Sequence, residues 1–172
     1  PAVEKGCEEA MGTGVRAGPK GTRWLRLDDA PARIILSQGA ADDCVFTGWK
    51  VASAADVDAF AAHLQAQGLK GSYGSDDELA VRNATRMLQF RDPEGNRHEV
   101  YAEARSSLPV FKSELVASGF VTGTGGAGHV VFEASDYPST ISFATQVLGL
   151  KLSDHVYLEP APGVKIEEYL WT

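Results

Sequence analysis

Cysteine, methionine and tryptophan are scarce in this chain of 172 residues, which holds two, two and three of them. Cys7 and Cys44 are isolated, with no C-x-x-C spacing. That excludes a disulfide scaffold or a cysteine-built zinc site and suits reduced thiols of a cytoplasmic protein. No apolar run approaches the roughly 20 residues that a membrane-spanning helix needs, so no membrane partner is expected. The sixteen Lys and Arg residues are scattered without a cluster, which argues against a nucleic-acid groove. The net charge of −7 favours solubility without naming a partner. The opening PAVEKGCEEAMG is acidic and is not a signal peptide. It has no initiator Met, so the sequence is expected to be an internal piece of a longer protein.

What is present is ordinary globular material, 44% hydrophobic and 23% charged. Val3–Met11 has apolar residues near helical spacing and stops at Gly12. Arg23–Leu27, Arg33–Ser37 and Cys44–Val51 read as short strands, rich in β-branched or aromatic residues. SAADVDAFAAHLQAQG is the clearest helix, with Ser53 as N-cap, Asp56 three residues on, a Val57/Phe60/Ala61/Leu64 stripe and Gly68 as its end. RMLQFRDPEGNRHEVYAEA reads as a β-hairpin turning at Asp92–Asn96. After the turn, Arg97, Glu99 and Tyr101 share one face, and His98, Val100 and Ala102 the other. A strand opening near Gly128, a helix over Pro138–Leu148 and a strand over Lys165–Trp171 follow.

These elements recur. An Ala-Ser pair at 52–53, a helix with Phe60 and GLK at 68–70 are matched by Ala-Ser at 134–135, a helix with Phe143 and GLK at 149–151. The spacing from Pro138 to Gly149 equals that from Pro1 to Gly12. The fold class expected is α+β, with repeated βαβββ modules forming cupped mixed sheets and helices outside. The division expected is a domain over 1–105 that lacks its first strand, a connector over 106–122 and the first half of a second domain over 123–172. A half-built sheet leaves edge groups unpaired, so further chain is expected beyond Thr172. The alternative is a short chain that closes its sheet by dimerisation.

GAGHVVFEASD places one of only four histidines, His129, at the mouth of an apolar strand. It is either a core histidine with a hydrogen-bond partner or a metal ligand whose companions lie elsewhere. Val131 and Glu133 share its face. His63 and His98 read as surface residues, and His155 as rim or solvent. Trp24 and Trp49 read as core or interface.

The repeat with DPEGN in its hairpin resembles the vicinal-oxygen-chelate superfamily, which includes the glyoxalases and bleomycin-resistance proteins. FRDPEGNRHEVYAEA, FVTGTGGAGHVVFEASD and FATQVLGLKLSD, in that order, resemble the two-domain type I extradiol ring-cleavage dioxygenases. The resemblance implies a non-catalytic first domain and a second domain holding Fe(II), with Mn(II) as the less common ion. A facial set of two histidines and one carboxylate leaves open positions for a catechol and dioxygen. The G-x-G-H-V-V motif maps the first histidine ligand onto His129. The second histidine and the glutamate are expected beyond Thr172, and no catalytic residue is assigned within the chain. Val131 and Tyr169 are the candidate substrate-pocket residues, with strand packing as the alternative for Tyr169. Glu99 stands where single-domain members carry a metal-binding glutamate, but the strand at Cys44 is led by Asp42 and Asp43 rather than histidine. Glu99 therefore reads as a relic of duplication.

The activity implied for the full-length protein is oxygen-dependent extradiol cleavage of a catechol-type diol in aromatic or steroid degradation. Its partners would be a small aromatic diol, dioxygen and further copies of itself in a homo-oligomer. The fragment alone is expected to be inactive. The alternatives are a metal-free protein that sequesters an antibiotic or an aromatic, and a glyoxalase-like metal-dependent lyase.

Overall fold

The computed structural model describes residues 2–40, 43–104, 108–128, 131–161 and 164–171, with the backbone alone at 2–4, at 124 and from residue 154 onward. Helix α1 (Ala2–Met11) ends where Gly12 adopts φ +71°, a conformation glycine reaches without a Cβ clash. An antiparallel sheet follows, made of β1 (Gly14–Ala17), β2 (Arg23–Arg26) and β3 (Ile34–Leu36), with β2 in the centre. Trp24 and Leu25, neighbours on opposite faces of β2, are both buried, so this sheet is covered on both sides. Strand β1 has no counterpart among the expected elements. Its four residues, GVRA, carry too little alternation to register as a strand.

The second sheet contains β4 (Thr47–Val51), β5 (Ser72–Tyr73), β6 (Ala84–Arg91) and β7 (Arg97–Glu103) in the order β4-β7-β6-β5. β4 runs parallel to β7 and the other pairs are antiparallel. The expected strand at Cys44 starts three residues later, at Thr47. Helix α2 (Ala54–Ala66) has the expected capping box, in which Ser53 Oγ accepts from the Asp56 amide and Asp56 accepts from the Ser53 amide. It buries Val57 and Leu64 against Leu88, Phe90, Val100 and Ala102 on one face of the sheet. Each such side chain contributes about 1.5–3 kcal/mol by leaving water.

Helix α3 (Asp76–Arg82) was not expected from the sequence, yet it carries the same signature. Ser75 and Glu78 form a second capping box, and Asn83 closes the helix in the left-handed conformation. The stretch over 108–122 contains no helix or strand. It lies along the first sheet, where Arg26 donates to the Pro109 carbonyl at 3.0 Å, Phe111 N–H donates to Asp29 at 2.7 Å and Ser113 donates to the Gly12 carbonyl at 2.7 Å.

One expectation fails at residues 131–134, which form no strand. A strand needs a ladder partner. None of the described strands pairs with this stretch, and β8 (Leu152–Ala161) and β9 (Val164–Trp171) form a two-stranded antiparallel sheet of their own. The expected helix at 138–148 is present as α4 (Tyr137–Ser142), running on into a π-helical turn over Phe143–Val147. Phe143 enters the core of the second sheet beside α2, and Val147 and Leu148 pack against it. The architecture is α+β, with one mixed sheet and two antiparallel ones among the described residues.

Candidate functional site

β7 lies between β4 and β6, and this central place explains its sequence. His98, Glu99 and Val100 are three consecutive buried residues, so both faces of the strand are covered. On one face stands Glu99, fully buried at 0% exposure. Arg82 at the end of α3 grips its carboxylate in a fork, Nε to Oε2 at 2.8 Å and Nη2 to Oε1 at 2.9 Å. Arg97 adds a third contact at 2.7 Å to Oε1 and reaches on to Glu78 at 3.0 Å. The ring of Phe46 covers the Arg82 guanidinium at 4.0 Å, a cation–π contact. Glu78 accepts from the Ser75 amide at 2.9 Å, and this bond, with the polar Gln89 and Arg97 side chains beside it, outweighs burial to hold its carboxyl down at about 2.

On the opposite face His98 is 3% exposed, which corrects the surface position read from the sequence. Alternation does place it opposite Glu99, but that face is the one covered by α2 and the Phe143 turn. Trp49 Nε1–H donates to His98 Nδ1 at 3.1 Å, so Nδ1 carries no proton. Nε2–H then donates to Asp92 at 3.2 Å. Desolvation lowers the His98 pKa, with Asp92 opposing it. Protonation would also set an N–H against the indole N–H. His98 is thus a neutral, structural histidine. Trp49, read as core or interface, is partly buried against the core of the second sheet. His63, also read as surface, is half-buried, and its Nε2–H donates to the Val147 carbonyl at 3.1 Å.

The candidate ligand His129 lies outside the described residues. Val131 is 72% exposed. The side chains of Tyr169 and His155 also lie outside what is described. The next residue of the motif that points inward is Phe132, whose ring meets His98 with centroids 5.9 Å apart. Ser135 and Asp136 then meet Glu94 of the β6–β7 turn. The sequence offered no signal for that contact, since Glu94 occupies a turn position that most side chains can fill.

Among the described residues no three His, Cys, Asp or Glu side chains come together as a metal-binding group. Glu99, the one carboxylate at a ligand-like register, does not fit a cation, because two guanidinium groups already occupy its oxygens. Cys7 and Cys44 are unpaired. No helix among the described residues is long and apolar enough to cross a membrane.

No protein-family model matches the chain. Among curated proteins it is 34% identical to an iron-dependent extradiol dioxygenase of Rhodococcus jostii over 137 residues, covering 80% of this chain and 45% of that protein. It is also 34% identical to a biphenyl-2,3-diol 1,2-dioxygenase of Paraburkholderia xenovorans over 146 residues, covering 84% and 49%. Among solved structures, a halotolerant catechol dioxygenase superposes with a TM-score of 0.81 at 26% identity, over 90% of this chain and 53% of that one. The 2,2',3-trihydroxybiphenyl 1,2-dioxygenase of Sphingomonas wittichii superposes at 0.74 with 32% identity, over 89% and 54%. The chain spans about half the length of the curated relatives it matches. In sequence and in fold, this chain is a homologue of the extradiol dioxygenases and shares their vicinal-oxygen-chelate architecture.

Proposed function

We propose that the full-length protein cleaves the ring of a catechol-type aromatic diol in the extradiol manner, using dioxygen. The observation that carries this reading is the colinear similarity to aromatic-diol dioxygenases over more than four-fifths of the chain. In this reading residues 1–105 form a non-catalytic first unit, 106–122 a connector and 123–172 the start of the catalytic unit. His129 is proposed as one ligand of a divalent metal, Fe(II) by preference, with the other ligands in the half of the relatives that this chain does not span. Such a metal would supply Lewis acidity toward the diol oxygens. Val131 and Tyr169 are the proposed pocket residues near it.

The state of Glu99 supports this division of labour. Its carboxylate is closed off by Arg82 and Arg97, so Glu99 itself is not available to a cation. The test is the full-length protein loaded anaerobically with ferrous iron and then exposed to oxygen with monocyclic and bicyclic catechols. Oxygen uptake with a yellow ring-opened product is expected. Iron-loaded protein that consumes no oxygen with any of these diols would overturn the reading.

A further inference from the structure

The hairpin turn over Asp92–Asn96 has two jobs, and only one belongs to its own sheet. Asp92 accepts from the Asn96 amide and side chain, both at 2.8 Å, and from His98. These bonds close the turn. Glu94 points the other way. Its Oε2 accepts the Ser135 hydroxyl at 2.7 Å and its Oε1 accepts the Asp136 amide at 2.7 Å, 41 and 42 residues on in the chain. A carboxylate that takes two donors at once fixes orientation as well as distance.

Helix α4 does not need Glu94 as a cap. Asp136 is already its N-cap and accepts from the Ser139 amide at 3.2 Å. What Glu94 takes are the two donors just ahead of the helix. Three residues earlier, Phe132 rests against His98, and after the helix Phe143 lies 6.0 Å from the same ring, centroid to centroid. The segment 131–136 is therefore held at both ends by the β6–β7 hairpin, through His98 of β7 at Phe132 and through Glu94 of the turn at Ser135 and Asp136, and in sequence it begins two residues after His129.

We propose that Glu94 is a positioning residue, which seats the segment 131–136 on the first unit and so aligns the stretch that His129 opens. The link to His129 rests on the ring-cleavage reading. The seat itself does not.

The test uses the full-length protein with Glu94→Ala and Glu94→Gln. Hydrogen exchange followed by mass spectrometry should show amides of 131–142 exchanging about tenfold faster or more in Glu94→Ala, with β6 and β7 unchanged, because only the local opening is made easier. Glu94→Gln keeps one acceptor oxygen and should recover most of the protection. Release of ferrous iron to a chelator should quicken in Glu94→Ala and return toward the wild-type rate in Glu94→Gln. Unchanged exchange over 131–142 overturns the proposal, as does a rise spread evenly over the chain. Selective exchange with unaltered iron release also overturns it, since the segment would then be seated without aligning the ligand. If the wild type binds no iron and opens no ring, the functional reading falls, while the exchange comparison still decides the seat.

Discussion

Replacing Glu99 by Gln removes the one negative charge between two arginines and leaves the shape almost intact. Glu99 is 0% exposed, and the Arg82 side chain is 13% exposed, so their fork is a buried ion pair. Breaking such a pair from one side costs about 3–5 kcal/mol, because the remaining charge stays desolvated without its partner. Two features favour the lower end. Arg97 keeps Glu78 at 3.0 Å, and Arg82 keeps the face of Phe46. A loss of about 3 kcal/mol is therefore expected, which moves a urea midpoint down by roughly 1–3 M at an unchanged slope. Tryptophan fluorescence during urea titration reads it. Lys50→Met is the control, because the Lys50 side chain is 45% exposed in its pair with Glu103 and its removal should cost under about 1 kcal/mol. Replacing Arg82 and Glu99 together by Leu should recover much of the loss and expose a coupling between them. A loss below about 1 kcal/mol for Glu99→Gln would refute the guanidinium clamp. So would a variant that keeps its stability but loses bound metal from the first unit.

The neutral state of His98 makes a pH prediction. Its folded pKa lies below the ordinary 6.5, so the unfolded chain binds the proton more readily. Stability should be complete above about 6.5 and fall as the pH drops below it, and His98→Gln should flatten that slope in urea titrations across pH. Glu78 acts lower on the scale. Its depressed carboxyl, at about 2, adds stability that is present above its ordinary 4.5 and lost as the pH falls toward 2, so a Glu78→Gln variant and the wild type should converge there. Phe143→Ala should cost about 3–5 kcal/mol in the same assay, since the ring is 7% exposed in the core of the second sheet. A negligible cost would show that the Phe143 turn does not dock there. Ser53→Ala should cost about 1 kcal/mol by removing one half of the α2 capping box.

Much of the fold was legible because its signals are local. The capping box of α2, the DPEGN turn and the glycine stops depend on residues within a few positions of one another, and they appear where expected. The same type of signal at Ser75 and Glu78 was present but lay in an acidic stretch with a weak apolar stripe, so α3 was passed over. The strand expected at 131–134 failed for a different reason. Its pattern suits a strand, but pairing is a property of two segments, and none of the described strands pairs with it.

By itself the sequence determined the α+β class, the turn chemistry and the resemblance to the extradiol dioxygenases. Alternation on β7 likewise placed Glu99 and His98 on opposite faces. Only the tertiary structure decided what each face meets. Arg82 reaches Glu99 from α3, 17 residues away, and turns a ligand-like carboxylate into a structural anion. Trp49, Phe90, Phe132 and Phe143 converge on His98 from four other segments and remove it from water. Glu94 finds its donors at Ser135 and Asp136, 41 and 42 residues on. A side chain's face follows from backbone geometry a few residues long, whereas its burial and its charge partners depend on which distant segments the fold brings against that face.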